Sequence, residues 1–112
     1  MPVLLLLLLL FEYLRRCDEL QSRPWACLVD AAVPGQFGGS GVTADWRQLS
    51  VPDVARTLEP LILAGGLTTE NVTQAIQTVH PWGVDVASGV ETSKGVKDLR
   101  RVEEFIKASR LA

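Results

Sequence analysis

Leu61-Ile62-Leu63-Ala64-Gly65-Gly66-Leu67-Thr68 decides the architecture of this chain. Four consecutive apolar residues make a run of strand length with no polar alternation, the pattern of a strand buried on both faces. Gly65 and Gly66 close it. Thr68 is placed to cap a helix, in which Val72, Ala75, Ile76 and Val79 fall at i, i+3, i+4 and i+7 and so share one face. Pro81 stops that helix. A buried strand followed by an amphipathic helix is the repeating unit of a parallel sheet with covered faces.

The same unit recurs on both sides. Upstream, Trp25-Ala26-Cys27-Leu28-Val29-Asp30 is an apolar run ending in one acid, followed by Pro34 and four glycines up to Gly41. Ser50 as N-cap, Pro52 early in the first turn and Asp53 at the third helical position predict a helix with Val54, Ala55 and Leu58 on its apolar face. Downstream, Val84-Asp85-Val86-Ala87 reads as a third strand, ending in Ser88-Gly89. A last helix is predicted from about Asp98, with Leu99, Val102, Phe105 and Ile106 opposite Glu103, Glu104 and Lys107. With an opening helix that runs to about Leu20, the order is α and then β-α three times. The fold class is α/β with parallel strands, residues 1–24 being a leucine-rich helical opening and 25–112 the βα units.

Composition sets the outer limits. A chain of 112 residues, 47% hydrophobic and 21% charged, builds one core and is not disordered. Its net charge is -2 and its 11 Lys and Arg are scattered, so no basic stripe exists to follow a nucleic-acid backbone. Cys17 and Cys27 have neither CxxC nor Cys/His spacing, which argues against a disulfide framework or a zinc site and fits a reducing cytoplasm. The run Leu4 to Leu10 is interrupted by Glu12, Arg15 and Arg16, well short of the ~20 apolar residues of a spanning helix. It lacks the basic start and small-residue cleavage site of a secretory signal as well. No membrane role is expected; the run reads as a core-facing helix or as an artificial start left by loss of an upstream coding segment.

Chemistry is expected where the three strands end. Gly65-Gly66 and Ser88-Gly89 terminate successive strands, where bare backbone lets a ligand approach and exposed N–H groups attract an anion. Together they form a candidate phosphate cradle; the plainer reading is that glycines only turn the chain. Asp30 sits at the rim, as an acid that meets a ligand or as one that caps a turn. Asp85, between Val84 and Val86, needs a hydrogen-bonding partner or a place facing the site. Strand alternation puts Cys27 on the face opposite Asp30, so it packs rather than reacts. Cys17 and His80 read as structural. The sequon at Asn71-Val72-Thr73 falls within a helix and is discounted.

These stretches resemble the phosphoribosylanthranilate isomerase family of tryptophan biosynthesis. The resemblance rests on Leu28-Val29-Asp30, on Pro34-Gly35-Gln36-Phe37-Gly38-Gly39-Ser40-Gly41 leading to Asp45-Trp46, on Leu63-Ala64-Gly65-Gly66-Leu67 with Glu70-Asn71-Val72, and on Gly83 to Glu91 with Gly95 and Lys97-Asp98. Their order resembles the last three βα units of a (β/α)8 TIM barrel, over roughly residues 25 to 110. What the resemblance implies is an Amadori rearrangement of a phosphoribosyl aminoaldose without cofactor or metal. It assigns Asp30 as general acid, Gly65, Gly66, Ser88 and Gly89 as the clamp on the substrate phosphate, and Asp85 as the acid near the anthranilate moiety. The family's basic cysteine, in a Lys-Ile-Cys-Gly-like segment, and its substrate-holding arginine have no counterpart here. A barrel takes at least ~200 residues, so the chain by itself is expected to be inactive and to pair with a complementing N-terminal barrel segment. The alternative function is a non-catalytic phosphate-binding or assembly module.

Overall fold

Strands β1 (Cys27–Asp30), β2 (Leu61–Ala64) and β3 (Gly83–Val84) pair in parallel, in chain order. Leu28 lies beside Ile62 and Ile62 beside Gly83; Val29 lies beside Leu63 and Leu63 beside Val84. The computed structural model describes residues 3–32 and 46–112. The glycine-rich stretch from Pro34 to Gly41, with Asp45, lies outside the described residues.

Because side chains alternate along a strand, the sheet has two unlike faces. Cys27, Val29, Leu61 and Leu63 point to one side and are buried. They share a core with Leu7 and Leu14 of α1 (Val3–Glu19), Trp46 and Leu49 of α2 (Trp46–Leu49) and Leu58 of α3 (Pro52–Leu58). Val72, Ala75 and Val79 of α4 (Val72–Val79) and Phe105 of α5 (Leu99–Arg110) complete it. Each fully buried leucine contributes roughly 1.5–3 kcal/mol by leaving water. On the other side Leu28 is 56% exposed and Asp30 is exposed. That face is open at Leu28 and half-buried at Ile62 and Gly83, and β1 and β3 are both edge strands among the described residues.

Two of the predicted helices start where expected, or nearly so. Asp98 caps α5, its carboxylate accepting the N–H groups of Arg100 at 3.0 Å and Arg101 at 3.4 Å. Pro52 begins α3, but Ser50 is not its cap: Val51 holds the extended cap position, and the Ser50 hydroxyl donates to the carbonyl of Arg47 at 2.7 Å. That bond closes α2, a short helix the apolar pattern did not reveal. In α4 the Thr68 carbonyl accepts from Val72 N–H at 3.0 Å, while the Thr68 hydroxyl makes no cap. The helix ends on His80 in the left-handed conformation, one residue before Pro81.

The third strand is shorter than predicted. Pairing stops at Val84, with one further bond from Asp85 N–H to Leu63 O at 2.8 Å, and Val86 packs on the core without joining the sheet. Between β3 and α5 the chain adds an unpredicted antiparallel hairpin, β4 (Glu91–Ser93) and β5 (Val96–Lys97). On α5 only Val102 and Phe105 of the predicted stripe reach the core; Leu99 and Ile106 stay 77% and 45% exposed.

Candidate functional site

The six residues assigned to the candidate site lie at the C-terminal end of the sheet, whereas Cys17, Cys27 and His80 do not. Asp30 ends β1, Gly65 and Gly66 follow β2, Asp85 follows β3, and Ser88 and Gly89 begin a single 3-10 turn, Ser88–Val90. A parallel sheet makes this unavoidable, since all its strands finish on one side.

The glycines there are fixed by geometry. Gly65 has φ +93°, and a Cβ at that position would fall 2.1 Å from Asp30 Oδ1 and 2.5 Å from the backbone N of Ala32. No L side chain fits. Gly65 thus brings the Asp30 carboxylate against the second strand's turn. That carboxylate also accepts the Ala32 N–H at 2.9 Å. Asp30 thus makes the bond expected of a turn-capping aspartate, while its carboxylate stays exposed at the end of β1. Gly89 is equally constrained: its Cβ would fall 2.0 Å from the carbonyl oxygen of Leu67. The two glycine loops are therefore in direct contact. Gly66, with φ +68°, faces open space.

Two side-chain struts hold these loops, and neither was assigned a role from sequence. Asn71 accepts the Thr68 N–H at 2.8 Å and donates to the Gly66 carbonyl at 2.9 Å, bracing the turn that carries Gly66. Lys97 donates to Glu91 at 2.6 Å and to the Ala87 carbonyl at 3.0 Å, one residue before Ser88. Glu91 accepts the Gly95 N–H in turn, at 3.2 Å. The Lys97 ammonium, with that Gly95 N–H, holds the Glu91 carboxyl below the usual carboxylate range. Only the spacing of Asn71 after Gly66, and of Lys97 after a left-handed Gly95, offered a signal.

Beside the loops lies a cleft of about 380 Å³, bordered by Thr68, Thr69, Ser88 and Gly89 with Glu70, Glu104 and Arg101. The Thr69 hydroxyl, the residue's own backbone N–H and the Thr68 hydroxyl hold Glu70 below the usual carboxylate range, with a smaller contribution from the Arg101 charge. Arg101 is tied back to Asp98 at 3.6 Å and to the Glu91 carbonyl. Asp85 is exposed rather than enclosed in a strand, so it needs no partner to offset burial. Cys27 is buried against the helices, where desolvation pushes its thiol up despite the Arg23 charge. It packs, as alternation required. Among the described residues no group of three or more His, Cys, Asp or Glu is arranged to hold a metal ion.

Known proteins share this arrangement. Residues 11–108 match the family model of N-(5'-phosphoribosyl)anthranilate isomerase, a match that begins within α1. The isomerase of Roseiflexus castenholzii is 50% identical over 94% of this chain and 51% of its own. Among solved structures, the isomerase of Thermotoga maritima superposes with TM-score 0.67 at 36% identity, covering 88% of this chain and 45% of that one. Another isomerase structure, in complex with reduced 1-(o-carboxyphenylamino)-1-deoxyribulose 5-phosphate, matches with TM-score 0.56 at 40% identity, covering 61% and 34%. The chain spans about half, or less, of the length of the curated relatives it matches. By the family model and by these relatives, the chain belongs to the N-(5'-phosphoribosyl)anthranilate isomerase family.

Proposed function

We propose that this chain supplies the phosphate-binding end of a phosphoribosylanthranilate isomerase, as the last three βα units of a (β/α)8 barrel. The observation that carries the reading is the contact between the two glycine loops, Gly89 on Leu67, beside an Asp30 carboxylate seated on Gly65. In this reading the backbone of Gly65, Gly66, Ser88 and Gly89 holds the phosphate of the substrate, as fixed N–H groups hold anions elsewhere. Asp30 is the general acid that protonates the ribose ring oxygen as the ring opens, and Asp85 lies toward the anthranilate moiety. A separate base must take the C2 proton to complete the aldose-to-ketose shift. Cys27, buried and with its thiol pushed up, is no such base.

That base, and the strands that would cover Leu28 and the two sheet edges, belong in this reading to the part of the relatives' length that this chain does not span. Residues 25–112 are then the barrel units, and residues 1–24 the opening segment, whose helix Val3–Glu19 packs on them through Leu7 and Leu14. The reaction is placed in the cytoplasm; among the described residues no helix is long and apolar enough to cross a membrane. The family match weighs against a non-catalytic assembly module. Mixing the purified chain with a separately expressed N-terminal portion of a relative tests the reading. Turnover of N-(5-phosphoribosyl)anthranilate is expected only in the mixture and should vanish with Asp30→Asn. Turnover by the chain alone at rates near those of intact relatives would contradict it.

A further inference from the structure

The opposite end of the sheet has no part in that chemistry, yet it carries exposed aromatic surface. Trp25 precedes β1 and Trp82 precedes β3, and the two indoles meet edge to face across the start of β2, with centroids 4.9 Å apart and planes at 84°. Both remain largely in water, 69% and 63% exposed. Trp46, by contrast, is buried. Trp82 also lines a cavity of about 540 Å³ together with Glu59, Pro60, His80 and Pro81, a size typical of small-ligand sites.

The cavity wall holds one carboxylate, that of Glu59, and the ends of two helices. Helices in βα units run against their strands, so α3 ends at Glu59 and α4 ends at His80, both on the cavity wall. Helix C-termini present carbonyl oxygens and attract positive charge. Glu59 adds a carboxylate. Of the arginines nearest in sequence, Arg56 pairs with Asp53 at 3.3 Å, whereas Arg23, paired with Asp18 at 3.7 Å, donates to the Thr57 carbonyl at 2.6 Å and so already occupies the last turn of α3. Among the described residues no Lys or Arg lines the cavity. Exposed indoles, a carboxylate and the C-terminus of α4 are the elements that recognise an organic cation, which gains from the ring quadrupole as well as from the negative charge.

We propose that the cavity between Trp82 and Glu59, at the N-terminal end of the strands, binds an alkylated ammonium or guanidinium group. The cation lies against an indole face with Glu59 as its counter-ion, and Trp25 fixes the plane of Trp82 through their edge contact. The site is independent of the isomerase reading, and either can fail without the other.

The test follows the three indole N–H signals by NMR at pH 8, with buried Trp46 as internal reference. Choline, Nα-acetylarginine amide and the uncharged choline isostere 3,3-dimethylbutan-1-ol are titrated separately. At least one of the two cations should move the Trp25 and Trp82 signals and leave that of Trp46 in place; the tighter of the two distinguishes a free ammonium compound from an arginine side chain. Glu59→Gln should weaken binding about tenfold and Trp82→Ala should abolish it, with the Trp46 signal reporting that each variant remains folded. The proposal is overturned if neither cation moves either signal, if the alcohol binds as well as choline, or if Glu59→Gln binds as the parent does.

Discussion

The two ends of the three-stranded sheet differ in what they leave open. At the C-terminal end bare glycine backbone is packed tightly enough that a single added carbon collides: 2.1 Å at Gly65 and 2.0 Å at Gly89. At the N-terminal end large side chains stand in water, with Trp25 and Trp82 touching only by an edge. The difference follows from one topology. Parallel strands with returning helices collect helix N-termini at one end of the sheet and helix C-termini at the other. The first end suits anions and close backbone approach; the second suits cations and tolerates bulk.

The largest expected effects therefore lie among the glycines, and they are unequal in a way that tests the geometry. Gly65→Ala adds left-handed strain of ~1–3 kcal/mol to overpacking of ~1–3 kcal/mol against Asp30 and the Ala32 backbone. A loss of ~3 kcal/mol or more is expected in denaturant unfolding. Gly89→Ala meets the Leu67 carbonyl in an ordinary backbone conformation and should cost roughly 1–3 kcal/mol. Gly66→Ala, with open space around it, should cost only the left-handed penalty, ~1 kcal/mol. If Gly66→Ala proved as damaging as Gly65→Ala, the close approach of Asp30 would not be what holds this end together.

Next come the struts. Asn71→Ala removes two hydrogen bonds and leaves the Thr68 N–H and the Gly66 carbonyl to find water, at a cost of ~1–3 kcal/mol. Asn71→Asp keeps the acceptor and loses the donor, and should fall between the two. The Glu91–Lys97 clamp gives a signature in pH. Its carboxyl is held below the usual range in the folded chain, so its contribution is fully present above the ordinary carboxylate pKa. That contribution disappears as pH falls through the ordinary range toward the lowered value. Thermal unfolding of Glu91→Gln, compared with the parent from neutral pH downward, should show a gap that closes in acid. A gap that widened in acid would mean that the lysine does not engage the ionised form.

These contrasts also show how far the residues themselves declare the structure. Leu61 to Ala64 and the stripe Val72, Ala75, Ile76, Val79 identify strand and helix because burial on defined faces dictates their periods. Asp30, Gly65, Gly66, Asp85, Ser88 and Gly89 could be collected at one end because parallel strands leave no other place for them. What stayed hidden depends on local bonding choices that an apolar period does not carry. The third strand stops pairing at Val84 although Val86 is apolar and packs on the core, and Ser50 serves the preceding turn, its hydroxyl and its N–H both bonding to the Arg47 carbonyl. Leu99 and Ile106 carry the same apolar signal as Phe105. Only the position of α5 at the margin of the sheet leaves them in water.

The smallest effect completes the contrast between the ends. Trp82→Ala removes a large side chain, yet that side chain is 63% exposed and meets Trp25 only edge to face. An aromatic pair of this kind is worth ~0.5–1.5 kcal/mol beyond its area, and exposure places the expected loss at the lower end, well below that of Gly65→Ala. A loss of Trp82 as costly as that of Gly65 would mean that the indole is part of the folding core. A near-neutral result would leave two tryptophans held in water at little structural gain, a burden more readily understood as a binding surface than as packing.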